Sequence, residues 1–337
     1  MKALLSRAPG GAETLELAEV DEPVAGPGEL LIAIAACAIN YPDVLVIEDK
    51  YQFRPERPFA PGSEISGTVI AVGDSVEGWQ AGDRAIALTG ASGGLAERVV
   101  VPAGNAFHLP DGLPLMDASA LLMTYATTMH ALLDRGRLVA GETMLVLGAA
   151  GGVGLSAVEL GVAFGARVIA AVSSEEKAAA ARAAGAHDVV IYGRGPFDRD
   201  QSKALADMFK AKVGADGANL IYDPVGGDYA EPALRSIAWY GRYLVVGFPA
   251  GIPRLPLNLT LLKSCDVCGV FWGAFAGRDP AANAAHVEHL FQLWMQDKIR
   301  PSVSALYPLE RGGEALTRLA AREAVGKLLV TIDSGGG

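Results

Sequence analysis

Hydrophobic and polar positions change their period partway along the chain. Up to about residue 123 the pattern is β-like, with short apolar or alternating runs at 30–36, 64–72, 84–88 and 95–101. Turn residues such as Gly26, Pro27 and Gly28, or Gly73 and Asp74, separate these runs, which predicts an irregular, partly open β-barrel. From about Met116 the period becomes helical, and 116–133 is apolar on more than one face, as a buried helix requires. Strands and helices then alternate at 144–148, 151–164, 167–172, 175–184, 188–191, 201–213, 218–222, 228–239 and 241–247. That order predicts a doubly wound parallel sheet with helices on both faces. After about residue 262 the alternation ends, leaving a strand-like 264–272, a helix at 286–297 and a closing strand at 327–332. A tail that returns to the first barrel makes that domain discontinuous, 1–124 with 266–337, around a central domain of 125–265.

Residues 145–154 read Leu-Val-Leu-Gly-Ala-Ala-Gly-Gly-Val-Gly. A buried strand stops at Gly148, turns through glycines and opens a helix near Gly151. Bare backbone at Gly151 and Gly152 admits a pyrophosphate, and the helix N-terminus beyond supplies free N–H groups and the positive end of its dipole. Any tight strand-to-helix turn needs glycine, so the flanking strand and amphipathic helix make this a dinucleotide signal. The following strand, 167–172, ends in Ser173 and Ser174, then Glu175, Glu176 and Lys177. An NAD site carries an acid at that strand end to bind the ribose 2′-hydroxyl. Small hydroxyl residues leave room for a 2′-phosphate, and Lys177 can meet it as a point charge. Tyr192 ends the next strand beside the same ribose. These residues point to NADPH, with Glu175 and Glu176 read as an acidic first helical turn.

Composition narrows the function. With 337 residues, 51% of them hydrophobic, the chain can bury two moderate cores. A net charge of −10 with no basic stripe argues against nucleic acid. The apolar run 30–39 is too short to span a bilayer, and the first residues lack a signal-peptide pattern, so the expected location is the cytoplasm with no membrane partner. Three cysteines cannot make a disulfide framework. Cys265 and Cys268 form a C-x-x-C, but no further ligand pair accompanies them, and they read as small buried hydrophobes.

Several segments together resemble the zinc-independent medium-chain dehydrogenases/reductases of the NADPH:quinone oxidoreductase (zeta-crystallin-like) group, nearly end to end. They are 40–43 (Asn-Tyr-Pro-Asp), 58–64 with Gly67, 82–84, 124–132, 148–154, 223–227, 245–248 and 269–273. The resemblance implies a GroES-like catalytic domain joined to a Rossmann domain, with NADPH in the cleft between them. It implies that Asn40 and Thr127 lie beside the nicotinamide and that Tyr51, with Tyr41, lines the acceptor pocket, where packing at a domain edge is the equal alternative for both tyrosines. It further implies a cofactor set of Ala150, Gly151, Gly152, Val153, Ser173, Ser174, Lys177, Tyr192, Val225, Gly247, Phe248, Pro249, Val270, Phe271 and Trp272. Asp43, Glu64 and Asp83 read as structural, holding turns and ion pairs.

In the zinc alcohol dehydrogenases of this superfamily a Cys and a His hold the catalytic metal. Asn40 and Ser63 stand at those positions, and neutral oxygens cannot replace thiolate and imidazole around zinc. No metal is therefore expected. His286 and His289, three apart, read as a polar helix face.

Without a Lewis acid an isolated ketone is a poor hydride acceptor. Quinones and α,β-unsaturated carbonyls delocalise the incoming pair and need only positioning plus a few hydrogen bonds. The expected function is hydride transfer from NADPH to such a conjugated acceptor. An NADPH-dependent enoyl or enone reductase, including an enoyl-CoA reductase, and a non-catalytic NADPH-binding protein remain as alternatives. A homodimer is expected through strand pairing near 267–272, an apolar run hazardous as an open edge.

Overall fold

The computed structural model describes residues 1–332. Its strands are β1 (Lys2–Ser6), β2 (Leu15–Glu19), β3 (Glu29–Ala38), β4 (Glu64–Val72), β5 (Arg84–Leu88), β6 (Arg98–Pro102), β7 (Ala106–His108), β8 (Thr143–Leu147), β9 (Arg167–Val172), β10 (Asp188–Ile191), β11 (Ala218–Asp223), β12 (Ile237–Val245), β13 (Asp266–Gly269), β14 (Val303–Pro308) and β15 (Lys327–Thr331). The chain forms two compact units. One holds Met1–Met123 with the chain from Pro301 onward, and the other is Thr124–Arg300.

In the first unit β3 is central. It pairs antiparallel with β4, β6 and β15, in a sheet ordered β14-β15-β3-β4-β5-β7. Its residues alternate between half-buried and fully buried over 29–36, and Cys37 and Ala38 are buried on both faces, so one face feeds a core of Leu30, Ile32, Ile34, Ile65 and Val101. Register shifts between Leu31 and Ile32, and between Ile34 and Ala36, interrupt the β3–β4 ladder. Such bulges bend a sheet toward closure. Gly67 lets β3 and β4 come close: a Cβ there would lie 2.1 Å from the Ala33 carbonyl oxygen.

The second unit is a six-stranded parallel sheet ordered β10-β9-β8-β11-β12-β13. The order reverses direction beside β8, the first strand of the unit, and the crevice at such a reversal is where dinucleotides bind. Apolar residues of β8, β9 and β11 are fully buried, as expected for strands covered on both faces.

Three expectations are corrected. The boundary expected at 265/266 falls at Arg300/Pro301, because β13 pairs in parallel register with β12 and extends the sheet, Tyr243 opposite Val267 and Val245 opposite Gly269. The strand expected over 264–272 stops at Gly269. Trp272 instead starts a helix, Trp272–Arg278, and its buried indole Nε1 donates to Asn283 Oδ1 at 2.8 Å. The single helix expected over 116–133 is broken, with one turn at Leu115–Ala118 and a restart at Leu122–Ala126.

Candidate active site

In the Thr124–Arg300 unit, the turn after β8 shows why glycine is needed. Gly148 has φ +57°, in the left-handed region, and Gly151 N donates to its carbonyl oxygen at 3.0 Å. A Cβ on Gly154 would lie 2.2 Å from that same oxygen, so the helix Gly152–Ala163 can pack this closely only without one. Gly151 differs. A Cβ there would meet nothing nearer than the Gly148 oxygen at 3.5 Å, so its backbone faces open space. The first N–H groups of the helix have no intrahelical acceptor. A tight turn, a tight packing contact and an open approach together fit a pyrophosphate.

The remaining nucleotide-side residues leave the C-terminal ends of successive strands. Ser173 and Ser174 follow β9. Ser174 caps the helix Glu175–Ala183, its Oγ accepting from Lys177 N at 3.3 Å. Tyr192 follows β10, its N donating to the Val172 carbonyl at 2.9 Å. Val225 follows β11 in a turn held by the buried Asp223 carboxylate, whose Oδ1 accepts from Val225 N and Gly226 N, both at 2.8 Å. The Tyr243 hydroxyl donates to the other oxygen at 2.6 Å. Gly247, Phe248 and Pro249 follow β12, and Val270, Phe271 and Trp272 follow β13, with Val270 N bonded to the Val245 carbonyl at 3.0 Å. The sequence-predicted cofactor residues thus share one edge of one sheet.

Thr127 opens the turn Thr127–Met129 of this unit. Its neighbour Thr128 is buried. Thr128 Oγ1 lies 2.8 Å from Ser156 Oγ on the glycine-led helix and 2.8 Å from the Tyr222 hydroxyl of β11. This hydroxyl cluster, absent from the sequence reading, fixes the rotation of the Thr127 turn against the cradle helix.

In the first unit, Asn40 belongs to a buried charged cluster, Tyr41 is the first residue of the helix that follows it, and Tyr51 packs on the neighbouring apolar core. Asn40 precedes the helix Tyr41–Ile47 and is nearly buried. Its Nδ2 donates to the Ala38 carbonyl at 3.1 Å and to Glu64 Oε2 at 3.0 Å, while its Oδ1 accepts from Lys327 Nζ at 2.6 Å. Both amide hydrogens are therefore occupied, leaving Asn40 no donor for an acceptor molecule. Asp43 Oδ2 accepts from Asn40 N at 2.7 Å, and Ser63 Oγ donates to Asp43 Oδ1. Glu64 is fully buried and accepts from Met123 N at 2.8 Å. Burial raises the Asp43 carboxyl to about 6, with bonds from Ser63 and Asn40 pulling the other way. Glu64 is also raised by burial, partly offset by Lys327.

Tyr51 packs half-buried on this core beside Phe53, their ring centroids 6.0 Å apart. Its hydroxyl has no hydrogen-bond partner among the described residues. Burial raises its pKa, with the Asp43 charge adding to it, so the hydroxyl stays protonated. Asp83 holds a turn, its Oδ2 accepting from Gln80 N at 2.9 Å.

The zinc ligand set of the related alcohol dehydrogenases does not fit here. At those positions Ser63 donates to Asp43, and the Asn40 oxygen already holds an ammonium. Cys265 and Cys268 are free thiols. His286 departs from the polar face expected of it. It lies 14% exposed, its Nε2 3.7 Å from Asp134 and its ring stacked on Phe275 at 5.6 Å.

A Rossmann sheet with this cradle, carried in one chain with a GroES-like barrel, defines a medium-chain dehydrogenase/reductase. Residues 26–111 match the alcohol dehydrogenase GroES-like domain, and 152–287 match the zinc-binding dehydrogenase family. The chain is 36% identical over 308 residues to quinone oxidoreductase-like protein 2 homolog of Nematostella vectensis, covering 90% of this chain and 82% of that one. Among solved structures, it is similar to a mycobacterial protein complexed with NADPH (TM-score 0.90, 30% identity, 98% of this chain and 100% of the other). It is also similar to Escherichia coli quinone oxidoreductase complexed with NADPH (TM-score 0.88, 26% identity, with 98% and 100% covered). The chain belongs to the quinone oxidoreductase family of the medium-chain dehydrogenases/reductases.

Proposed function

We propose that this protein is a cytoplasmic, homodimeric, metal-independent oxidoreductase that uses NADPH to reduce a quinone or another conjugated carbonyl. The observation that carries the reading is the end of β9. Ser173 and Ser174 stand there in place of an acid, and Lys177 is on the next helical turn, on the same sheet edge as the open Gly151 backbone.

Ala150, Gly152 and Val153 would hold the pyrophosphate through backbone N–H groups and the helix dipole, while Gly151, whose own N–H is bonded to the Gly148 carbonyl, would let it approach the bare backbone. Ser173, Ser174, Lys177 and Tyr192 would receive the 2′-phosphate, and Val225, Gly247, Phe248, Pro249, Val270, Phe271 and Trp272 the nicotinamide half. When bound, NADPH supplies a hydride, and the acceptor takes it with one proton, leaving NADP and the reduced carbonyl compound.

The first unit supplies positioning and hydrogen bonds of ordinary strength. Asn40, with its amide hydrogens occupied, shapes the nicotinamide side as a fixed wall. Tyr51 is the group able to donate to an oxygen that gains negative charge, and a phenol is a weak enough acid to stay protonated until then. Such a donor suffices for a quinone, whose product gains aromatic stabilisation, or for an enone, whose charge is spread.

Steady-state oxidation of NADPH with a panel of 1,2- and 1,4-quinones, enones, enoyl-CoA thioesters and simple ketones tests the reading. Turnover of quinones or enones is expected, with deuterium from C4-labelled NADPH on the β-carbon of an enone product. EDTA should leave the rate unchanged. Oxidation of simple alcohols with NADP, without turnover of any quinone or enone, would overturn it. Binding of NADPH with no acceptor turned over would leave only a nucleotide-binding role.

A further inference from the structure

We infer that Arg194 is a second cation for the 2′-phosphate, a specificity residue acting together with Lys177. The inference rests on the NADPH reading above and adds a residue that the sequence pattern did not single out.

Adjacent parallel strands bring the two cations to one place. Ile191 of β10 stands opposite Val172 of β9, so Ser173 and Tyr192 leave the sheet side by side. Lys177 rises from the Ser173 side on the first turn of its helix, and Arg194 follows Tyr192 by two residues. The chain around Arg194 is anchored. Gly195 N donates to the Tyr229 hydroxyl at 3.0 Å and Phe197 N to Asp228 Oδ2 at 3.2 Å. The Tyr229 ring lies 5.0 Å from Tyr192 and 5.1 Å from Phe197. An aromatic cluster and two side-chain acceptors therefore hold a turn that solvent alone would leave loose.

The charges are arranged for a guest. Arg194 is exposed and has no carboxylate partner among the described residues. The Lys177 ammonium is made more acidic by partial burial first and by the Arg194 charge second, with Glu176 offsetting in part. Glu175, the acid a competing reading would place on a ribose hydroxyl, faces Arg182 at 3.9 Å instead. A chain with ten more acids than bases holds two cations against each other here without placing an acid on Arg194. A dianion between them relieves the repulsion. The guanidinium fork suits two phosphate oxygens, whereas Lys177 meets the group as a point charge.

Binding separates the inference from the reading beneath it. The full-length protein and its Arg194→Gln and Arg194→Lys variants are titrated calorimetrically with 2′,5′-ADP, 5′-AMP, NADPH and NADH. For the unaltered protein, 2′,5′-ADP should bind tighter than 5′-AMP. Arg194→Gln should weaken 2′,5′-ADP and NADPH about tenfold, an effect typical of a charge-assisted contact, and change 5′-AMP and NADH less than twofold. Arg194→Lys should recover part of the loss. If the unaltered protein does not discriminate the two adenosine phosphates, the NADPH reading fails and this inference with it. If it discriminates and Arg194→Gln keeps the ratio, or weakens all four ligands alike, the inference alone fails.

Discussion

The ammonium of Lys327 in β15 lies 3.5 Å from the Glu64 carboxylate in β4, across 263 residues of sequence, and also bonds the Ile39 carbonyl at 3.1 Å and the Asn40 amide oxygen at 2.6 Å. All three hydrogens of the ammonium have acceptors. Glu64 and Lys327 are both almost completely buried, so each depends on the other for the charge it carries inside the protein.

Removing one member should therefore cost more than removing both. Lys327→Met leaves Glu64 buried without its counter-ion, and we expect a loss of about 3–5 kcal/mol, the range for a broken buried pair. Lys327→Met combined with Glu64→Gln should be less destabilised than Lys327→Met alone. Urea unfolding of the unaltered protein, of Lys327→Met and Glu64→Gln singly, and of the double variant decides this. Additive losses would mean that the two groups do not interact.

Asp43 gives a pH signature. Its carboxyl is raised from 3.8 to about 6 by burial, so the folded state binds a proton more tightly than the unfolded one. Its contribution to stability is fully present below about pH 3.8, declines as pH rises and is gone above about 6. The expected span is about 3 kcal/mol. Asp43→Asn should remove this decline, seen as a flatter stability curve between pH 4 and 6. A curve parallel to that of the unaltered protein would assign the slope to other groups.

Tyr51→Phe tests the hydrogen-bond donor. We expect kcat with a quinone or enone to fall by about 100-fold, the lower end of the range for losing one such donor. NADPH affinity and thermal stability should hardly move. An unchanged kcat would return Tyr51 to packing.

Gly151 and Gly154 should behave differently when each is changed to Ala. At Gly154 a Cβ collides with backbone at 2.2 Å, so Gly154→Ala should destabilise the protein by about 1–3 kcal/mol, as overpacking does, and weaken NADPH binding. At Gly151 a Cβ enters open space, so Gly151→Ala should keep its melting temperature and lose NADPH affinity alone. Full NADPH affinity in Gly151→Ala would place the pyrophosphate elsewhere.

The proposed dimer uses the free edge of β13, where Val267 is 42% exposed. Val267→Lys should shift the protein to monomer in sedimentation at micromolar concentration, because a charge on an edge strand opposes edge pairing. A monomeric unaltered protein would remove the proposal.

Local chemistry was legible in the sequence, and distant pairing was not. Strands 64–72 and 84–88 were readable to the residue because turn residues bound short β-prone runs, Gly73 and Asp74 after the first and Gly82 and Asp83 before the second. The turn at Gly148 was readable because only glycine fits it. By contrast, a lone Lys at the start of a closing strand looks like a solvated charge, and nothing near Lys327 in sequence indicates Glu64. Asn40 was read as lying beside the nicotinamide, but its partners were invisible: Glu64 and the Ala38 carbonyl, which take its donors, and Lys327, which takes its oxygen. The end of the central unit was placed too early because the alternation of strands and helices reads as ending near 262, and only pairing with β12 shows that β13 belongs to the sheet. Arg194 was passed over because a charge beyond a strand end usually faces water. Its position is set by Tyr229 and Asp228, more than thirty residues later.

The strand that carries Lys327 also bears on synthesis. The central unit is one continuous stretch, Thr124–Arg300, so all of its strands have been made before β14 and β15 exist. Until β15 arrives beside β3, the barrel has an open strand edge and Glu64 has no counter-ion. A growing chain therefore passes through a stage with a completed nucleotide-binding sheet and an unfinished barrel, the stage at which a chaperone would find the most to hold.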